Sequence, residues 1–453
     1  MQIHTRMEAY KIDDSQGELF RNRLKNQINE EHELVELARL IDWEELEGEY
    51  GSMYMDNVAG GQPAKPIRLM VGMILLQNMH NLSDREVVRQ WMENVYWQYF
   101  CGYDYLQISA PIEASSLTRF RKRVGKGKLE NLLSITVTAA VESGLIKKRD
   151  CERVTVDTTI MPKNIEYPTD SKLIEKARKK LVKLAKNTGI VLRQNYNRVA
   201  KRIMRQIGGY LHAKQMKRAK KAIKRLKTIT GRIMRDCRRK MENMPDTKEK
   251  FERVLGQTEH LLTRKPKDKN KLYSLHEDDI SCISKGKAHK KYEFGSKVSL
   301  SIINEGAGII TGCESLSGAP YDGHTLKEAL TLSQEITGVK VKRAFVDKGY
   351  KGHKVTDTDV FVSGQRKNLT GSIKKQLKRR QAIEPHIGHM KQSCKLGLSR
   401  LKGSTGDQIN ALLSASAYNL KLILNHLRIL VLFFRNLIRQ NLPHLILKFS
   451  FAL

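Results

Sequence analysis

Three rhythms of apolar and polar positions divide this chain. In the first, Ile67, Met70, Val71, Ile74 and Leu75 return at helical spacing from Pro63 to about Asn81. Ser83 and Glu86 stand at capping-box spacing and predict a second helix through Val87, Trp91 and Val95. After a break at Cys101-Gly102, Ser115 is placed to cap a short helix from Ser116 to Arg123. Leu117 and Phe120 would pack inward there, leaving Arg119, Arg121 and Arg123 outward. This succession suggests a helix-turn-helix arrangement facing DNA, with a plain basic helical bundle as the alternative. A further helical patch covers Glu31 to Glu47.

The second rhythm alternates in steps of two. Arg153-Val-Thr-Val-Asp157-Thr-Thr is β-branched and alternating, so it predicts a strand with Asp157 near its end. Lys297 to Ile303 alternates again, turns at Gly306-Ala-Gly308 and resumes over Ile309 to Cys313, a hairpin. Helical spacing over Thr325 to Ile336 follows, and then an apolar strand, Val341 to Val346, ends at Asp347 before Gly349 and Gly352. A right-handed crossover makes this strand parallel to the first and sets Asp157 beside Asp347. Another strand, Asp359 to Ser363, precedes a helix that carries Glu384, where Pro385 implies a helix start or kink.

The third rhythm is sparse. From 172 to about 270 apolar residues thin out to Val199, Ile203, Ile207, Leu211, Met216, Ile223, Leu226, Ile229 and Ile233. They predict a pair of long helices, broken near Gly208-Gly209 or Gly231. Between Val191 and Lys240 stand 18 Lys or Arg and one acid, Asp236. A surface so one-sided repels itself unless an anion neutralises it, so Lys217, Arg218, Lys221 and Arg225 are expected on DNA phosphates.

The whole chain repeats that imbalance: 82 Lys and Arg against 48 Asp and Glu over 453 residues, a net charge of +34. A polyanionic partner follows, nucleic acid before an acidic membrane. The six cysteines form no C-x-x-C pair, which speaks against a zinc site or disulfide framework. The N-terminal residues lack the apolar run of a secretory signal, and charges interrupt the apolar stretch Leu427 to Phe434, so a soluble cytoplasmic protein is expected, nucleoid-associated when bound to DNA. The apolar tail Leu442 to Leu453 is left without a role; packing on a helix Leu412–Leu432 is one option.

Against this basic background the acids carry the information. Glu384 lies between Arg380 and Lys391, with three residues intervening on one side and six on the other. Asp157, Asp347 and Glu384, brought together, would repel one another unless divalent cations joined them, and hard oxygen ligands suit Mg²⁺ or Mn²⁺. Asp322-Gly-His324, Lys348 and Lys351 also lie by strand ends, but turns and solvated lysines explain them adequately.

In the order of its acids the chain resembles the DDE transposases of bacterial insertion sequences, whose catalytic core is RNase H-like. Arg380, Glu384 and Lys391 match the last three positions of the family's Tyr-x2-Arg-x3-Glu-x6-Lys signature, and Leu377 stands at the tyrosine position. That departure touches any base-flipping or hairpin step in which the tyrosine would stack on DNA. The resemblance implies an α/β fold: an RNase H-like mixed sheet with an N-terminal helical DNA-binding domain and a long basic helical insertion. The expected partition is 1–59 and 60–145 helical, 150–171 and 280–400 the catalytic core, 172–272 the insertion, and 401–453 a helical C-terminal region. The resemblance further implies Asp157, Asp347 and Glu384 as ligands of two Mg²⁺ or Mn²⁺ ions for cleavage and strand transfer at element ends. Arg380 and Lys391 become phosphate clamps, and double-stranded DNA and a homodimer or higher oligomer the partners. An RNase H-like nuclease without strand transfer, or a non-enzymatic nucleic-acid-binding protein, would use the same residues.

Overall fold

The structure, a computed structural model, describes residues 22–54, 64–241, 245–265, 268, 271–284, 291–365 and 369–450. It divides into two units, residues 1–162 with 296–453, and residues 163–295.

The first unit opens with helices α1 (Glu33–Leu40), α2 (Trp43–Gly51), α3 (Ile67–Met79), α4 (Asp84–Glu93), α5 (Val95–Phe100), α6 (Ala114–Arg123) and α7 (Lys126–Glu142). Ser83 caps α4 by accepting from the Glu86 N–H at 3.2 Å, as the capping-box spacing predicts. Ser115 does not cap α6: the N-cap is Glu113, which contributes no side-chain bond, and Ser115 lies inside the first turn. Helix α3 is buried on nearly every side, which is why its apolar residues are not confined to one stripe. Arg121 overturns its expected outward role. It is 8% exposed, pairs with Asp84 of α4 and donates to Gln77 Oε1 of α3 at 3.1 Å, joining three helices. Burial opposes ionisation of Asp84, yet the bonds and charge of Arg121, with bonds from Gln77 and Thr118, together outweigh it and hold the carboxyl below its usual range.

Strand β1 (Arg153–Pro162) leads into the second unit, built from α8 (Asp170–Asn187), α9 (Asn197–His212), α10 (Met216–Met241), α11 (Pro245–Thr263) and β2 (Ser281–Ser284). Four helices therefore stand where two were expected. Gly208 and Gly209 lie inside α9 and Gly231 inside α10; the chain turns instead at 213–215, with Lys214 left-handed at φ 55°. A glycine costs a helix interior about 1 kcal/mol. The unbroken apolar row of Ile203, Ile207, Ala222, Leu226 and Ile229, buried in one cluster, outweighs it. Arg178 is 1% exposed and clamps Glu175 through two nitrogens. Its Nη1 reaches the Asn195 carbonyl at 2.6 Å and Asn197 Oδ1 at 2.9 Å, fixing the approach to α9.

The chain returns through β3 (Tyr292–Ile303), whose first residues pair with β2 in the second unit, Ser281 opposite Gly295. Then come β4 (Ile310–Leu316), α12 (Asp322–Thr337), β5 (Arg343–Val346), β6 (Asp359–Val362), α13 (Gly371–Arg379), α14 (Ile383–Ser393) and α15 (Gly403–Ser450). In the first unit the sheet order is β4-β3-β1-β5-β6. The β3–β4 hairpin is antiparallel, while β5 is parallel to both β1 and β6. The class is mixed α/β. Leu326, Ala329 and Leu330 of α12 pack on Val154, Val156, Ala344 and Val346, so a helix covers the paired strands. The outer edge of β4 would present unpaired backbone, a template for aggregation. Helix α15 covers it: Asn419 binds both the N–H and C=O of Ile310, at 2.8 and 2.9 Å, and Gln408 accepts from the Ser315 N–H at 2.5 Å. Segment 60–145, expected as a domain of its own, shares one apolar cluster with β3, β4 and α15. Residues 451–453 of the tail, and the side chains from 434 onward, fall outside those described.

Candidate active site

The parallel register pairs Val156 of β1 with Val346 of β5. The next residues, Asp157 in β1 and Asp347 just past β5, therefore stand at the same level. β1 runs on to Pro162, so Asp157 sits within the strand rather than near its end. Arg380 begins the 3-10 turn Arg380–Ala382 that joins α13 to α14. Its Nη1 lies 3.9 Å from Asp157 Oδ2 and its Nη2 3.6 Å from Asp347 Oδ1, with the side chain only 12% exposed. These separations are those of ion pairs rather than hydrogen bonds. Burial pushes the Asp157 carboxyl up to about 6. The Thr158 N–H and Arg380 oppose that rise, while Asp347 and Asp322 add to it.

Asp322 is the acid that sequence reasoning undervalued. At the start of α12 its Oδ1 accepts from Thr158 Oγ1 at 2.8 Å and pairs with Lys297 Nζ at 2.6 Å. Only its adjacency to a strand end hinted at this, since Thr158 and Lys297 come from distant strands. Tyr350, in the turn after Asp347, is 1% exposed, and its hydroxyl has no hydrogen-bond partner. Burial first, then Asp322, Asp157 and Asp347, raise its ionisation far above the usual phenol range.

Glu384 occupies the first turn of α14, with Pro385 next to it where the missing N–H deprives no helical bond. Buried Ile383 and Met390 seat this helix, and His386 Nδ1 lies 2.7 Å from Tyr418 Oη. The Glu384 side chain is exposed. Among the described residues no three Asp, Glu, His or Cys side chains stand together as a metal-holding group. Proximity to β1 and β5 dictates the position of the two aspartates, whereas Glu384 depends on how α14 turns. Lys391 lies later on α14 and Leu377 on α13, both half-buried. The donor chemistry suits a hard divalent cation: two carboxylates side by side, one of them kept from ionising by burial and, further, by its neighbour.

The remaining cations fall into two groups. Arg119 and Arg123 are exposed on α6, with Arg123 positioned 5.4 Å above the Tyr54 ring. In the second unit Lys217, Arg218, Lys221 and Arg225 are exposed, while Ala219, Ala222 and Leu226 of the same helix are buried. Asp236 does nothing to offset them. It is 7% exposed, accepts from the Arg193 N–H at 3.0 Å and pairs with Arg239 and Lys240.

Residues 22–123 match the family model described as a transposase domain, DUF772. The chain is also similar to the uncharacterized protein ORF8 of the nfe locus of Rhizobium meliloti, 46% identical over 209 residues. That span is 46% of this chain and 100% of the relative. The match to the transposase domain thus covers residues 22–123, and the chain belongs to one family with the ORF8 protein, whose whole length it spans. No solved structure matches it. No helix among the described residues is long and apolar enough to cross a membrane.

Proposed function

We propose that the protein is a DDE transposase that cleaves DNA at the ends of an insertion sequence and transfers the cut strands, on an RNase H-like core. The observation that carries this reading is Asp157 beside Asp347 on parallel strands, with Arg380 across both. Asp157 and Asp347 would hold Mg²⁺ or Mn²⁺, with Glu384 supplied by α14. Bound there, such ions supply charge neutralisation for an attacking and a leaving oxygen. The chain's own residues do the rest. Arg380 and Lys391 donate to non-bridging phosphate oxygens, fixing the phosphodiester against the acids. Thr158 and Lys297 hold Asp322 beside Asp157, adding negative charge that favours a cation. Arg119, Arg123 and the exposed face of α10 bind phosphate backbone, which positions DNA without reading its sequence. Double-stranded DNA is the partner, and the protein acts as a homodimer or higher oligomer.

The test supplies pre-cut element ends and target DNA with Mg²⁺. Joined product is expected from the natural protein. Asp347→Asn should abolish both cleavage and joining yet retain DNA binding. Hydrolysis without joined product would favour a nuclease, and undiminished cleavage by Asp347→Asn would remove the site assignment.

A further inference from the structure

Asp157 and Asp347 each form an ion pair with Arg380 and, among the described residues, with no other cation. Lys297 is committed to Asp322 at 2.6 Å and the Pro320 carbonyl at 2.8 Å. One guanidinium thus balances two carboxylates and leaves a residual negative charge. Arg380 is largely enclosed, so this contact is a seated one rather than a swinging surface pair. Its neighbour Arg379 points elsewhere, pairing with Glu305 at 3.4 Å.

We infer that Arg380 is a resident counter-ion of the aspartate pair, exchanged for a divalent cation when DNA phosphate arrives to receive the guanidinium. The inference rests on the cation site proposed above and adds its regulation. A divalent ion matches the charge of the pair better than one guanidinium does, but displacing Arg380 into a basic surrounding is unfavourable without an anion. A phosphodiester is that anion, and the planar fork of an arginine fits two of its oxygens. Cation and DNA therefore bind cooperatively, each raising the affinity for the other by the same factor. The site stays unloaded while no substrate is present.

The experiment measures Mn²⁺ binding by electron paramagnetic resonance on the full chain, with and without a duplex oligonucleotide. It compares the natural protein with Arg380→Gln, Arg380→Lys and Asp157→Asn. Without DNA, Arg380→Gln should bind Mn²⁺ about tenfold more tightly than the natural protein, within the usual range of coupling between sites. Arg380→Lys should fall between them, and its thermal melt should match the natural protein's. Duplex should tighten Mn²⁺ binding to the natural protein and do little for Arg380→Gln. Equal or weaker Mn²⁺ binding by Arg380→Gln, with binding still lost in Asp157→Asn, overturns the exchange and leaves the cation site standing. Binding of Mn²⁺ by none of these proteins, with or without duplex, overturns both.

Discussion

Asp157 lies beside Asp347 because Val156 and Val346, the residues before them, are partners in a parallel ladder. Two carboxylates are held at one level by backbone pairing, and the Asp157 value of about 6 expresses burial first, with the charge of Asp347 adding to it. The folded value lies above the ordinary 3.8, so folding favours the protonated form. The associated stability is fully present below about pH 4 and is lost as pH rises through about 6. At neutral pH the ionised group therefore opposes folding by about 3 kcal/mol. Asp157→Asn should raise the thermal midpoint by a few degrees at pH 7.5 and by almost nothing at pH 4. Melts at the two pH values test this; an equal gain at both would show that charge is not the cause.

Arg121 should matter to folding and not to DNA. Arg121→Ala leaves Asp84 half-buried without its partner and should destabilise by about 3 kcal/mol. Arg119→Ala and Arg123→Ala, at exposed positions of the same helix, should shift stability by about 0.5 kcal/mol or less. Urea denaturation separates the two cases, and a mild effect of Arg121→Ala would mean that the α3–α4–α6 junction relaxes around it.

Replacing Lys217, Arg218, Lys221 and Arg225 by glutamine should weaken duplex binding without regard to sequence. If all four meet phosphates, the slope of log affinity against log salt should flatten by about 3 to 4. An unchanged slope, measured by fluorescence anisotropy over a salt series, removes α10 as a phosphate surface.

Gly308 should support the helix that presents Glu384. It is left-handed at φ 70°, and a Cβ placed there would lie 2.2 Å from His386 Nε2. Gly308→Ala should cost about 2 kcal/mol or more, from backbone conformation and the clash together. His386→Ala should recover part of that loss by opening space, so the double-mutant cycle should be non-additive. Additivity in denaturation measurements would mean that α14 does not rest on this turn.

What could be read without coordinates follows from how local each cause is. The β-branched alternation around Asp157 and the apolar run before Asp347 are local, and so are the cap at Ser83 and the start of α14 at Pro385. Their elements were legible. Arg121 resembles Arg119 and Arg123 in sequence, and only Asp84 and Gln77 on other helices decide that it turns inward. Gly208 and Gly209 are locally poor in a helix, yet a long-range apolar row keeps α9 intact. Asp322 joins the site through Thr158 and Lys297, contacts between segments far apart in the chain. The exposure of Glu384 is likewise a property of packing, not of spacing.

The way the second unit is threaded into the chain has one more implication. β1 and β3 lie side by side, and the Lys163 N–H bonds to the Phe294 carbonyl at 3.0 Å, just where the excursion begins and ends. Topologically, the entire helical unit occupies the place of a hairpin turn. Its helices can be lengthened, traded or cut back to a few residues while β1 keeps its ladder with β5, because the closure cost of such a loop grows only slowly with length. The basic helices of the second unit can thus vary without moving Asp157 relative to Asp347.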